Sequence, residues 1–241
     1  MNGPGAARAT GTGAPATGIT AVVPLRDGVS GKSRLATVLD DDARRALITA
    51  LAQHVTGTLL ATPQVDRVVV VTADAGFARS ALGELSDVGD LTFLAQSPER
   101  PGLNAALDAA REYCGAGEPE HGGADEATRS LLVAHADLPA LTPADLTDLV
   151  ARAADVVVAT DRAGRGTNLL LLRGGAAPGF RFRFGPDSRG AHEAEAARLG
   201  VRAVTVRRPG TAVDLDTVDD WNELPAEVRA AVGRFARFPS A

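Results

Sequence analysis

Short apolar runs alternate with helix-period segments along this chain, and that alternation constrains its fold more than any other feature. Residues 19–25 (Ile-Thr-Ala-Val-Val-Pro-Leu) read as a strand, followed by a loop and a helix over about 40–61. Residues 67–72 include four consecutive valines, the composition of a parallel strand covered on both faces. A helix over 75–85 follows, and the strand-then-helix unit recurs at 90–94 with 103–114 and at 130–134 with 143–153. Thr142-Pro143 supplies an N-cap and a first-turn proline for the last of these helices. Beyond it, 155–160, 167–172 and 201–206 read as strands, 188–199 and 217–224 as helices, and 225–235 as a helical tail. The order predicts a single α/β domain over 19–241, a mostly parallel central sheet flanked by helices with right-handed crossovers. Ligands of such sheets bind beyond the carboxyl ends of the strands, so the polar residues placed there carry the functional information.

Composition removes several classes of function. The net charge is −5, which argues against bulk nucleic-acid binding, where a basic footprint must replace counterions. No apolar run approaches the roughly 18 residues that span a bilayer, and no apolar signal-peptide core opens the chain, so no membrane association is expected. The single cysteine, Cys114, leaves no internal disulfide framework and no Cys-rich zinc site, and the expected compartment is cytoplasmic. Residues 1–18 are almost wholly Gly, Ala, Pro and Thr, a composition that cannot offset its ordering entropy and reads as a flexible tail. Residues 115–128, rich in Gly, Glu and Asp, read as a surface loop.

Three strand-end segments hold the candidate chemistry. After the first strand, Gly31-Lys32-Ser33 invites a Walker A reading, but that motif needs glycine at position 26, where this chain has arginine. A different anion site remains open there, with glycine-exposed N–H groups and the charges of Arg26, Lys32 and Arg34; the alternative is a solvated basic turn. Asp137 stands directly after the strand 130–134, with Pro139 behind it, as either a capping carboxylate or a ligand. Asp214-Leu215-Asp216-Thr217 repeats the theme late in the chain, where alternation puts Asp214 and Asp216 on one side of an extended segment. Separated carboxylates converging at one open sheet edge suit Mg²⁺, which takes oxygen ligands and is commonly completed by water and substrate phosphates. His135 reads as structural rather than as a ligand.

Six segments in chain order carry a family resemblance. They are Gly31 to Leu35 (GKSRL), Pro101 to Leu107 (PGLNAAL), Ala136 to Pro139 (ADLP), Gly164 to Asn168 (GRGTN), Phe184 to Ser188 (FGPDS) and Asp214 to Thr217 (DLDT). Together they resemble the phosphoenolpyruvate/2-phospho-L-lactate guanylyltransferases of coenzyme F-420 biosynthesis, from residue 19 to about 224. One departure is Val218, where the family usually has proline. The resemblance implies a Rossmann-like, GT-A-like nucleotidyltransferase fold of about seven strands in a mixed sheet, GTP as donor and Mg²⁺ as cofactor. It implies Asp137 and Asp216 as metal ligands and catalytic residues with Lys32, and Asp214 as a third candidate ligand. It also implies Thr167, Gly185 and Ser188 for the phosphorylated three-carbon acid, and Gly102, Leu103 and Asn104, with Lys32 and Arg34, for the nucleotide.

These residue types suit that reaction. The acceptor brings its own nucleophile, an ionised phosphate oxygen, so no Ser-His-Asp or Cys-His set is required. Ser188 opens a helix, where hydroxyl and N–H groups hold anions, and Gly185 lets a substrate approach the backbone. Arg183 and Arg189 flank that turn, and Phe182 and Phe184 read as core or pocket wall. The expected acceptor is phosphoenolpyruvate, favoured over 2-phospho-L-lactate by a composition typical of GC-rich bacterial coding. Molybdopterin or sugar-phosphate nucleotidyl transfer and a non-catalytic nucleotide-binding regulator are the wider alternatives. A downstream pathway transferase is the expected partner, with 115–128 the loop it would order; the residues leave the oligomeric state open.

Overall fold

The structure, a computed structural model, describes residues 18–27, 31–115, 129–236 and 238. The tail 1–18 therefore lies outside the described residues except for Gly18, and the loop 115–128 except for Gly115. The strands are β1 (Ile19–Pro24), β2 (Val65–Thr72), β3 (Leu91–Ala95), β4 (Ser130–Ala134), β5 (Val156–Ala159), β6 (Leu169–Leu172) and β7 (Ala203–Val206). The helices are α1 (Asp41–Leu60), α2 (Ala75–Leu82), α3 (Leu103–Gly115), α4 (Pro143–Val150), α5 (Ser188–Leu199), α6 (Val218–Glu223) and α7 (Ala226–Val232). All seven strands join one sheet in the order β3-β2-β1-β4-β6-β5-β7.

That order explains the valine run. Val68 and Val70 of β2 face a core layer with Ala52 and Val55 of α1, Phe77 and Ala81 of α2, and Leu146 of α4. Val69 and Val71 face the opposite layer with Leu107 and Ala110 of α3, Ala196 of α5 and the phenylalanines Phe180, Phe182 and Phe184. Both faces of the strand are dry, so successive residues must all be apolar. Phe182 and Phe184 are thus core, as their spacing predicts.

Local signals set the helix starts. Asp40 accepts from the Ala43 N–H, Asp74 from the Phe77 N–H, and Thr142 with Asp145 forms a capping box at α4. Ends were less legible. The helix expected over 75–85 stops at Leu82 because Gly83 turns to φ 54°, after which a 3-10 turn runs Gly83–Asp87.

Two topological details position the site. β1 is bordered by β2 on one side and β4 on the other, so successive crossovers leave in opposite directions and a crevice opens beyond their carboxyl ends. β6 runs antiparallel to both β4 and β5, which makes the sheet mixed and brings the start of β6, not its end, to that same edge. Thr167 and Asn168, just before β6, therefore lie beside the residues that follow β4; the His135 N–H donates to the Asn168 carbonyl at 3.2 Å. Leu170, fully buried at the centre of β6, tests this insertion. Leu170→Ala is expected to lower stability by about 2–5 kcal/mol, the range for a cavity at a site that cannot collapse. The readout is a lower denaturation midpoint at unchanged slope, and a loss under about 1 kcal/mol would mean β6 is not packed between its neighbours.

Candidate active site

Hydrophobic packing brings the early and late motifs together. Leu35, Leu47 and Leu51 share a third core cluster with Val213, Leu215, Leu224 and Val232. Leu35 follows Lys32 by one 3-10 turn (Ser33–Leu35), and Leu215 separates Asp214 from Asp216. Burying Leu35 and Leu215 side by side carries Lys32 to the late acidic pair. The Leu215 N–H donates to the Asp137 carbonyl at 3.0 Å, which draws in the third segment.

The result is a cation gripped by two carboxylates. Lys32 Nζ lies 2.6 Å from Asp137 Oδ2 and 2.7 Å from Asp216 Oδ1. The Lys32 side chain is 7% exposed, against 22% for Asp137 and 41% for Asp216. Burial is the largest influence on the lysine and would push its pKa down, but Asp137 and then Asp216 together outweigh it and hold the ammonium above its ordinary value. Burial likewise acts to raise Asp137, yet Lys32 and then His135 leave its carboxyl below the ordinary range. Lys32 stands at φ 58°, ψ 34°, a left-handed conformation that costs a side-chain-bearing residue about 1–2 kcal/mol, a cost that the two ion pairs offset.

Asp216 is placed by its neighbours. Thr217 caps α6 in a capping box with Asp220, and the Asp216 N–H donates to the same Asp220 carboxylate at 3.1 Å. The helix begins at Val218 with no proline in its first turn, so the capping box alone sets its start. The Asp216 N–H donates to the Asp214 carbonyl at 3.2 Å, a tight turn in place of the extended segment expected there, and Asp214 turns to Asn168, whose Nδ2 donates to it at 3.4 Å. Burial, then the Asp137 charge, raises its pKa. Among the described residues no group of three or more His, Cys, Asp or Glu side chains could hold a metal ion.

The donor set nevertheless suits a hydrated Mg²⁺. Asp137 Oδ1 is buried with no hydrogen-bond partner among the described residues, an orphaned carboxylate oxygen beside a second carboxylate on the crevice wall. Two protein carboxylates with water and phosphate oxygens fit the way this ion is commonly held.

Around this pair runs a cleft of about 310 Å³ lined by Arg26, Lys32, Arg34, Leu103, Asp137 and Asp216, among others. Lys32, Arg34, Leu103, Asp137 and Asp216 are thus brought together as the sequence suggested. Gly102, at φ 94° and exposed, precedes Leu103 at the start of α3 without lining the cleft. Asn104 is spent internally: its Oδ1 accepts from the Phe184 N–H at 2.9 Å and its Nδ2 donates to the Phe184 carbonyl at 3.0 Å. A two-way clamp of this kind across distant sequence could not be read from the PGLN motif, which suggested nucleotide contact.

Thr167, Gly185 and Ser188 form a neighbouring group behind the Phe184 turn, outside the cleft lining. Ser188 begins α5 as expected and is buried. Its backbone N–H and that of Arg189 are already taken by the Gly185 and Arg165 carbonyls, so the helix start offers fewer donors than anticipated. Gly185 holds φ 141° with nothing within 4 Å of a would-be Cβ, leaving room beside its backbone. Arg189 pairs with Glu193 at 3.1 Å. His135, expected to be structural, packs against Phe184 with ring centroids 5.2 Å apart and planes tilted by 38°, and lines the cleft beside Asp137. His192 was missed, although it stands four residues after Ser188 and so on the same helical face. Thr167 Oγ1 contacts its Nδ1 at 3.0 Å.

A seven-stranded mixed sheet with a carboxylate pair and a basic loop at the β1/β4 switch point is the frame of this site, and its relatives identify the class as nucleotidyltransferase. Solved structures share this fold: a protein described as a nucleotide-diphospho-sugar transferase, from Desulfovibrio desulfuricans, superposes with a TM-score of 0.66 at 16% identity, covering 91% of each chain. A 4-diphosphocytidyl-2C-methyl-D-erythritol synthase from Anaerococcus prevotii gives 0.55 at 10% identity, covering 90% of this chain and 99% of that one. More narrowly, the chain belongs to the family described as guanylyl transferase CofC like, whose model matches residues 19–227. Among its relatives, the phosphoenolpyruvate guanylyltransferase of Rubrobacter xylanophilus is 36% identical over 212 residues, covering 86% of this chain and 94% of that protein. That of Streptomyces coelicolor is 39% identical over 206 residues, covering 83% and 87%. No helix among the described residues is long and apolar enough to cross a membrane.

Proposed function

We propose that the chain transfers GMP from GTP to phosphoenolpyruvate, releasing pyrophosphate and giving enolpyruvyl-diphospho-guanosine for coenzyme F-420 biosynthesis. The observation that carries this is the buried ammonium of Lys32 between Asp137 and Asp216 at the switch point, in a family of guanylyl transferases. The names of the relatives favour phosphoenolpyruvate over 2-phospho-L-lactate. A cytoplasmic location and a downstream transferase that consumes the activated acid belong to the same reading.

The acceptor's ionised phosphate oxygen attacks the α-phosphorus; the new P–O bond forms as the bond to the β-phosphate oxygen breaks, and pyrophosphate departs with the electron pair. The obstacle is charge. Two anions about 4 Å apart repel by roughly 4 kcal/mol at an effective dielectric near 20. Lys32, Arg34 and Arg26 line the cleft and supply the compensating charge. Asp137 and Asp216 would hold Mg²⁺, which when bound neutralises phosphate charge and orients the in-line displacement. Ser188 and Gly185 hold the acceptor's acid group, with Thr167 beside them.

Pyrophosphate release from Mg²⁺ and GTP, with phosphoenolpyruvate, 2-phospho-L-lactate and sugar phosphates offered separately, tests the assignment. Turnover on a sugar phosphate alone overturns it, and turnover on phospholactate alone moves the acceptor. Ser188→Ala is expected to raise the KM for the acceptor about tenfold with little change in the KM for GTP, since one hydrogen bond to a charged group is worth about 1.5 kcal/mol or more. An unchanged acceptor KM removes Ser188 from that pocket.

A further inference from the structure

His192 makes two hydrogen bonds and no others among the described residues. Its Nε2 lies 3.0 Å from the Arg183 backbone nitrogen, and its Nδ1 lies 3.0 Å from Thr167 Oγ1. A backbone N–H can only donate, so Nε2 must present its lone pair. A neutral ring then carries its proton on Nδ1, and that N–H donates to Thr167 Oγ1. The hydroxyl's own hydrogen is left over, because Thr167 Oγ1 has no other hydrogen-bond partner among the described residues.

The surroundings enforce the neutral ring. His192 is fully buried, with the rings of Phe180 and Phe184 at 5.7 and 4.7 Å. Burial first, and then the charge of His135, push its pKa down to about 4, against a weaker opposing influence of Glu195. Glu195 itself is occupied by the Arg181 N–H and the Arg198 guanidinium. The ring therefore has one tautomer and one charge state at neutral pH, fixed by a partner that cannot change roles.

We propose that His192 is a positioning residue that fixes the Thr167 hydroxyl as a donor aimed at the acidic group of the acceptor, while its other nitrogen holds the Arg183–Phe184–Gly185 turn. The inference rests on the acceptor pocket assigned above and adds to it a residue that touches no substrate. A free threonine hydroxyl must first be turned and held before its hydrogen faces an incoming anion. With Nδ1–H donating to it, the hydroxyl offers the acid a hydrogen. The same imidazole ties that donor to the turn carrying Gly185, so both acceptor contacts keep their spacing. Asn104 of α3 clamps the next residue of that turn, Phe184.

The two nitrogens can be separated by substitution. His192→Gln places an acceptor near the Nε2 position and loses the donor to Thr167; His192→Asn places a donor near Nδ1 and loses the bond to Arg183. His192→Gln is expected to raise the KM for phosphoenolpyruvate about tenfold, with the KM for GTP changed less than twofold. His192→Asn is expected to recover most of that acceptor KM although its thermal midpoint is lower than that of His192→Gln. In a Thr167→Val background, His192→Gln is expected to add no further loss. Imidazole ¹⁵N spectra of the unaltered chain are expected to show the proton on Nδ1. A proton on Nε2, or an acceptor KM that follows the thermal midpoint across the variants, overturns the inference. No turnover by the unaltered chain on any three-carbon phospho-acid sinks the functional reading and this inference with it, whereas turnover insensitive to His192→Gln sinks this inference alone.

Discussion

Asp137→Ala and Asp216→Ala are each expected to lower kcat/KM for guanylyl transfer by about a thousandfold, the scale on which a lost electrostatic contact at a reacting centre is felt. The two variants should differ in stability. Asp137 is the more buried partner and holds Lys32 at 2.6 Å, with its second oxygen already unpaired. Its removal leaves a 7%-exposed ammonium facing only the half-exposed Asp216. Breaking a buried pair costs more than the pair contributes, because the surviving charge is stranded. Asp137→Ala should therefore lower the thermal midpoint more than Asp216→Ala, while circular dichroism shows both folded. Near-normal rates in either variant would remove that residue from the reaction centre. Equal midpoints would mean that Lys32 finds a second partner as soon as one carboxylate is gone.

The parts of this site that follow from local rules were legible in the sequence. Asp137 and Asp216 stand just past apolar segments, and Thr142 and Thr217 announce helix starts, because strand burial and capping act over a few residues. Asp137, Asp216 and Lys32 meet as the motif order suggests, but the sequence left Lys32 as a phosphate-facing charge and not as the cation between the carboxylates. That contact joins residues 105 and 184 positions apart and depends on Leu35 and Leu215 entering one core cluster. Asn104 shows the same limit. Its motif placed it at the nucleotide, whereas a clamp on Phe184, 80 residues away, is a product of α3 and the Phe184 turn packing on one face of the sheet. The antiparallel entry of β6 was equally hidden, since a four-leucine strand reads alike in both directions. That direction is what turns Thr167 toward the catalytic edge.

Lys32→Met should move two measurements in opposite directions. The lysine occupies the space between the carboxylates, so a metal ion held by the same two residues would compete with it for their charge. Methionine keeps most of the volume and removes the charge. Two carboxylates left facing one another repel, by roughly 4 kcal/mol for unit charges about 4 Å apart at an effective dielectric near 20, and a divalent ion relieves that repulsion. Nucleotide-free Lys32→Met is therefore expected to bind Mg²⁺ or Mn²⁺ at least about tenfold more tightly, read by calorimetry or by Mn²⁺ electron paramagnetic resonance, the conservative end of what that repulsion permits. Turnover is expected to fall by about 10²–10³, because the positive charge that faces the triphosphate is lost. Tighter metal binding with lost turnover would identify Lys32 as a cation that yields its place to the metal and then serves the phosphates. Unchanged or weaker metal binding would mean that the carboxylates meet the lysine in one place and the metal in another. The Lys32 bridge would then be a brace for the left-handed loop and for the join between Leu35 and Leu215, with no part in receiving the ion.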